Sequence, residues 1–176
     1  FLMVEGGKID YACHSNDAVT MFHEINDFSA AVDLAAAFAE RHPDETLIVV
    51  TSDHETGGIA LGYRKYCMHI DRLAYQNCSI GTLSNRMMRL REAGRTDWED
   101  MKSLLGECLG FWCGVEISEK EEAALRKTFE DSFVRSAEKV VDLYASNEKM
   151  ASQAVKLLNR KAHITWAGLA LSLIHI

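Results

Sequence analysis

Two short apolar runs, each ending in side chains that bind metals, constrain this chain more than anything else in it. The first, FLMVEGGKIDYACH, opens at Phe1 and carries Glu5, Asp10 and His14; the second, TLIVVTSDHETGG, carries Asp53 and His54. Both runs read as buried strands closed by turn residues, and the second is rich in β-branched side chains. Between them, residues 27–41 place Phe28, Val32, Ala35, Ala36 and Ala39 near helical spacing ahead of Pro43, the pattern of an amphipathic helix. Strand, helix and strand in that order predict a right-handed crossover with the two strands parallel. The carboxyl ends of those strands are where open α/β sheets build their sites. The expected fold class is α/β.

Five carboxylates and imidazoles at two strand ends are hard to explain as packing, because buried carboxylates are costly without a cation. Asp10 and His14 are four apart, so on a helix after the glycine turn they share a face and can hold one ion. Asp53 and His54 are adjacent, which suits a loop or strand end. Oxygen and imidazole ligands without thiolates suit Zn²⁺, and a carboxylate such as Glu5 also suits Mg²⁺.

The remaining composition narrows the function. At 176 residues and 48% hydrophobic content the chain can bury the core of one ordinary domain. A net charge of −7 with no dense run of Lys and Arg argues against nucleic-acid binding. No apolar run approaches the roughly 18 residues of a membrane span. Cysteines at 13, 67, 78, 108 and 113 are odd in number and form no CxxC pair, so neither a zinc-finger framework nor a redox dithiol is expected. Cys13, although between Asp10 and His14, is expected to be a small buried residue.

GGIALGY reads as a further short strand. From about residue 70 to 161 the pattern turns helical, with capping-box signatures at Thr96 to Glu99 and Ser118 to Glu121 and further helices through AEKVVDLY and MASQAVKLLNRK. This region reads as a helical insertion without chemistry of its own. His23, His42 and His69 are expected on the surface or on helices.

VEGGKID followed by His14, and VVTSDHETGG, resemble the alkaline phosphatase family, and the helical stretch and KAHITW resemble its bacterial branch. The resemblance implies a three-layer αβα fold with a largely parallel sheet and a helical insertion at about 70–161. Residues 1–170 would be the C-terminal part of its catalytic domain, truncated at both ends. It implies that Asp10 and His14 bind one Zn²⁺, that Asp53 and His54 bind a second, and that Glu5 binds a neighbouring Mg²⁺. It further implies hydrolysis of small phosphate monoesters through a phosphoserine and a periplasmic or secreted address, and it leaves room for a homodimer. Phosphodiesterases and phosphoglycerate mutases of the wider superfamily share the D-x3-H and DH elements, and Glu5 tilts the choice toward the phosphatases. A non-catalytic metal-binding domain is the alternative from another class.

The chain departs from the family pattern in several places. Tyr11 stands where better-known members carry Lys or His. The family's nucleophilic serine, a further aspartate and the phosphate-binding arginine are expected upstream of FLMVE. Ser15, Thr51 and Ser52 do not match the nucleophile motif, so the segment alone is expected to be inactive. His163 in KAHITW does not align with the family's last zinc histidine. Residues 171–176, LSLIHI, resemble the translation of a sequencing adapter, which would make His175 non-biological and place the missing histidine beyond that junction.

Overall fold

Asp17 sets where the longest helix begins. Its carboxylate accepts from the backbone N–H of Thr20 at 3.1 Å and from the Thr20 hydroxyl at 2.7 Å, satisfying donors that a helix start leaves open. Helix α2 therefore runs Ala18–Arg41, beginning well before the predicted residue 27 and ending, as expected, ahead of Pro43. A shorter helix, α1, spans Gly7–His14 and packs against α2. The computed structural model describes residues 1–63, 66–135 and 147–170.

The two apolar runs do not form the parallel strands predicted for them. Among the described residues, 1–6 and 46–52 carry no ladder hydrogen bonds, and Phe1, Leu2, Leu47 and Val49 are exposed. A buried strand needs partners on its edges and layers on its faces, and among the described residues neither run has them. Apolar composition specifies that a segment needs covering; it does not supply the neighbour. Among the described residues the sheet is a two-stranded antiparallel ribbon of β1 (Thr56–Leu61) and β2 (Ile164–Ala170). Strand β1 is the short strand expected at GGIALGY. Its register pairs Thr56 with Ala170, Ile59 with Trp166 and Leu61 with Ile164, with a bulge between Gly57 and Ile59.

The second half is helical, as predicted. A 3₁₀ turn at Ile70–Tyr75 leads into α3 (Ile80–Glu92), α4 (Trp98–Leu109), α5 (Glu119–Thr128) and α6 (Lys149–Lys161). Helix α4 is capped by Asp97, which accepts from the Asp100 N–H at 2.8 Å, rather than by the predicted Thr96. Gly110, at φ +68°, ends it in the left-handed conformation that glycine adopts without Cβ strain. The Ser118 and Glu121 capping box forms as expected. The helix expected through AEKVVDLY and the LSLIHI tail lie outside the described residues.

One main core holds these helices together. Leu83, Met87, Met101, Leu105, Phe111, Met150 and Leu158 are fully buried in it, and Trp98 stacks edge-on to Phe129. Ala12, Cys13 and Met21 form a satellite cluster that fastens α1 to α2 and shares Ile59 and Trp166 with the main core. That shared contact seats α1 on the β-ribbon.

Candidate metal centre

Helix α1 presents Asp10 and His14 on one face, with His14 Nε2 3.4 Å from Asp10 Oδ2. The second pair lies on the loop before β1, where His54 Nε2 is 3.4 Å from Asp53 Oδ2. In a tetrahedral zinc site with bonds of 2.0–2.2 Å, adjacent ligand atoms stand roughly 3.3–3.5 Å apart. Both pairs have that bite.

Thr56 joins the pairs. Its hydroxyl donates to Asp10 Oδ1 at 2.6 Å and lies 3.0 Å from His54 Nδ1. A threonine has one proton to give, and a carboxylate can only accept, so that proton belongs to Asp10. The contact with His54 is then made by the imidazole donating Nδ1–H, which also points at the Glu55 carbonyl, 3.3 Å away. This bonding pattern assigns the tautomer: in the neutral ring Nε2 keeps its lone pair and faces the Asp53 carboxylate. Two acceptors facing one another at 3.4 Å repel, and a cation between them removes the repulsion. The residues present therefore fit a metal ion.

The side chains of the two pairs differ in burial. The His14 side chain is 10% exposed and that of His54 22%, whereas Asp53 is 80% exposed. The Asp53 carboxylate is held from behind, because Oδ1 accepts from the His54 N–H at 3.0 Å and leaves Oδ2 toward the ring. Glu5 lies on the exposed approach to α1, with Oε1 close to Gly7, and is not part of the Thr56-linked set. Cys13 is buried as expected; burial first, then the carboxylates of Asp10 and Glu55, push its thiol up to about 11. At neutral pH the thiol stays protonated.

Gly57 brings β1 against α1. At φ +81° it occupies the left-handed region, and a Cβ there would lie 2.7 Å from the Cys13 carbonyl oxygen and 2.7 Å from the Trp166 ring. Close backbone approach is what glycine permits here. The nearby hydroxyls are turned to other partners: Thr51 donates to the Ser52 carbonyl, Ser52 to the His54 carbonyl, and Ser15 accepts from Asn147. Tyr11 is exposed.

The sequence pattern alone missed Thr56, although its place in DHETGG, two residues beyond His54, was a signal. It also missed a separate grouping. Cys67, His69 and His163 have ligand atoms all within 4.8 Å of one another.

The sequence profile of the alkaline phosphatase family matches residues 1–100. Alkaline phosphatase 4 of Bacillus subtilis (strain 168) is 47% identical over 62 residues, covering 35% of this chain and 13% of that protein. The repressible alkaline phosphatase of Saccharomyces cerevisiae is 49% identical over 59 residues, covering 34% of this chain and 10% of that protein. The chain thus spans only about a tenth of the length of these curated relatives. A solved structure, the cold-active alkaline phosphatase of a psychrophilic Shewanella sp., superposes with a TM-score of 0.68 at 22% identity, covering 93% of this chain and 35% of that one. The expected α/β class stands, as part of that fold, although the described residues hold the antiparallel ribbon and not the parallel ladder.

Proposed function

Because this chain belongs to the alkaline phosphatase family, we propose that it supplies the metal-holding part of a phosphatase that hydrolyses small phosphate monoesters. The observation that carries the reading is the Thr56 hydroxyl standing between Asp10 and His54, since it ties two separately encoded ligand pairs into one site. Asp10 with His14 would hold one Zn²⁺, Asp53 with His54 a second, and Glu5 a Mg²⁺ beside them. Two such ions supply a clamp for the attacking and leaving oxygens of an in-line phosphoryl transfer, and a local positive field.

The chain's own residues position and orient. Thr56 fixes the His54 tautomer, so that Nε2 and not Nδ1 is offered to an ion, and it turns Asp10 Oδ2 toward His14. Such outer-shell bonds fix ring orientation and raise ligand basicity. Helix α1 gives the first pair its i, i+4 spacing, and Gly57 sets the distance between α1 and β1. With a net charge of −7, an anionic ester approaches against the global field, and bound cations offset it locally.

No hydroxyl of the chain matches the family's nucleophile motif, so the 176-residue chain alone should bind metal without turnover. A secreted or periplasmic address and homodimerisation accompany the reading. The test is a transplant: residues 1–63 of this chain replace the corresponding segment of the Bacillus subtilis enzyme. Retained hydrolysis of an aryl phosphate monoester supports the proposal. A folded chimera without hydrolysis contradicts it.

A further inference from the structure

We propose that Cys67, His69 and His163 form a second, thiolate-containing Zn²⁺ site, beyond the phosphatase ligands. The three sit at the end of the β-ribbon remote from Thr56: Leu61 pairs with Ile164 there, whereas Thr56 pairs with Ala170 at the other end. Six residues of strand place the two centres roughly 17 Å apart along the ribbon. A shared ion is excluded by that separation.

The geometry is close to that of a zinc site. With all three ligand atoms within 4.8 Å of one another, an ion at their centre lies at most roughly 2.8 Å from each, against bonds of 2.0–2.3 Å. Small side-chain rotations close that gap. Cys67 Sγ already meets the His163 ring, 3.5 Å from Nδ1. One thiolate and two imidazoles form the borderline donor set that zinc prefers over Mg²⁺ or Ca²⁺, and three protein ligands leave a fourth position for water.

The backbone holds these residues in place before any ion arrives. Tyr63 N–H donates to the His163 carbonyl at 2.8 Å, His69 N–H to the Ala162 carbonyl at 3.2 Å, and Arg72 Nη1 to the Lys161 carbonyl at 2.7 Å. These bonds lace the segment carrying Cys67 and His69 to the junction of α6 and β2. His163 itself sits at φ +60°, left-handed for a residue with a Cβ, and its ring meets His69 edge-on at 4.8 Å. Its Nδ1 is also 2.9 Å from the Cys67 carbonyl oxygen, an outer-shell bond that leaves Nε2 for an ion. Strained backbone held by surrounding bonds is a frequent mark of a ligand clamp. Cys67 is exposed and both histidines are half-buried, so an ion can enter.

The experiment uses the whole chain, stripped of metal by a chelator and titrated with Co²⁺ and then with Zn²⁺. A thiolate-to-cobalt charge-transfer band should appear and be displaced by zinc. Cys67→Ser should abolish the band. His163→Asn, which keeps a residue tolerant of the left-handed backbone, should weaken zinc binding by more than the roughly 10–100-fold cost of losing an outer-shell partner. The helical circular dichroism of both variants should match the parent chain. A double Asp10→Asn, Asp53→Asn variant should keep the band, because the phosphatase pairs contain no sulfur; their failure to bind would therefore be read separately. Absence of the band in the parent chain, or its survival in Cys67→Ser, overturns the proposal.

Discussion

The Thr56 hydroxyl donates to Asp10 Oδ1 at 2.6 Å across 46 positions of chain, and through that bond the two proposed ligand pairs are linked. Thr56→Val keeps the shape and removes both hydrogen bonds. In an active enzyme carrying this segment, zinc affinity should fall about 10–100-fold, the usual cost of losing an outer-shell partner. Thr56→Ser should restore most of it. Equilibrium competition with a chromogenic chelator measures both, and an unchanged affinity in Thr56→Val would remove the linking role.

Gly57 sets how closely β1 approaches α1. Gly57→Ala puts a methyl 2.7 Å from the Cys13 carbonyl oxygen and from the Trp166 ring, at a φ of +81°. Overpacking together with the strained backbone should cost about 2–4 kcal/mol. Urea denaturation of the chain reads this directly, and a midpoint equal to that of the parent chain would show that the contact relaxes freely.

These two residues mark what the sequence makes legible. The Asp10/His14 and Asp53/His54 pairs are visible in the sequence because i, i+4 spacing and an adjacent Asp-His are local patterns, and the side chains within each pair stand 3.4 Å apart. Helix α2, the β1 strand and the Ser118 capping box are local too, and they form. The strands at FLMVE and TLIVVTS are not local. Their composition says that they want covering, but a ladder partner lies far off in sequence and leaves no mark within the run. Thr56 and the Cys67, His69, His163 group escaped for the same reason, since the contact that defines each spans 46 and 96 positions.

Asp17 should be the most sensitive polar position in the fold. It is fully buried and accepts from Thr20, from Gln76 Nε2 at 2.8 Å and from the Ile80 N–H at 2.8 Å, so it fastens the start of α2 to that of α3. Asp17→Ala leaves several buried donors without a partner and should cost about 3 kcal/mol or more. Thermal unfolding would show it. A loss under about 1 kcal/mol would mean that water replaces the carboxylate.

Acid should selectively weaken the junction of α5 and α6. Partial burial pushes the Glu121 carboxyl up, but hydrogen bonds from Lys161 at 2.7 Å and from the Ser118 N–H and hydroxyl outweigh it, so it titrates below its ordinary value. A carboxyl depressed in the folded state contributes stability above its unfolded pKa of about 4.3 and loses it as pH falls through the lower folded value. Glu121→Gln should therefore lower the melting temperature at pH 7, and the deficit should shrink below about pH 4. A deficit independent of pH would assign the effect to packing.

The proposed catalytic-metal role of Asp10, His14, Asp53 and His54 is tested most directly by zinc content measured on Asp53→Ala. In the chimera carrying residues 1–63, Asp53→Ala should lose about one zinc ion per chain and at least about 100-fold in monoester hydrolysis, since a ligand carboxylate both neutralises the ion and fixes its geometry. His23→Ala, on the exposed face of α2, should lose neither. A folded Asp53→Ala chimera with its full complement of zinc would contradict the assignment.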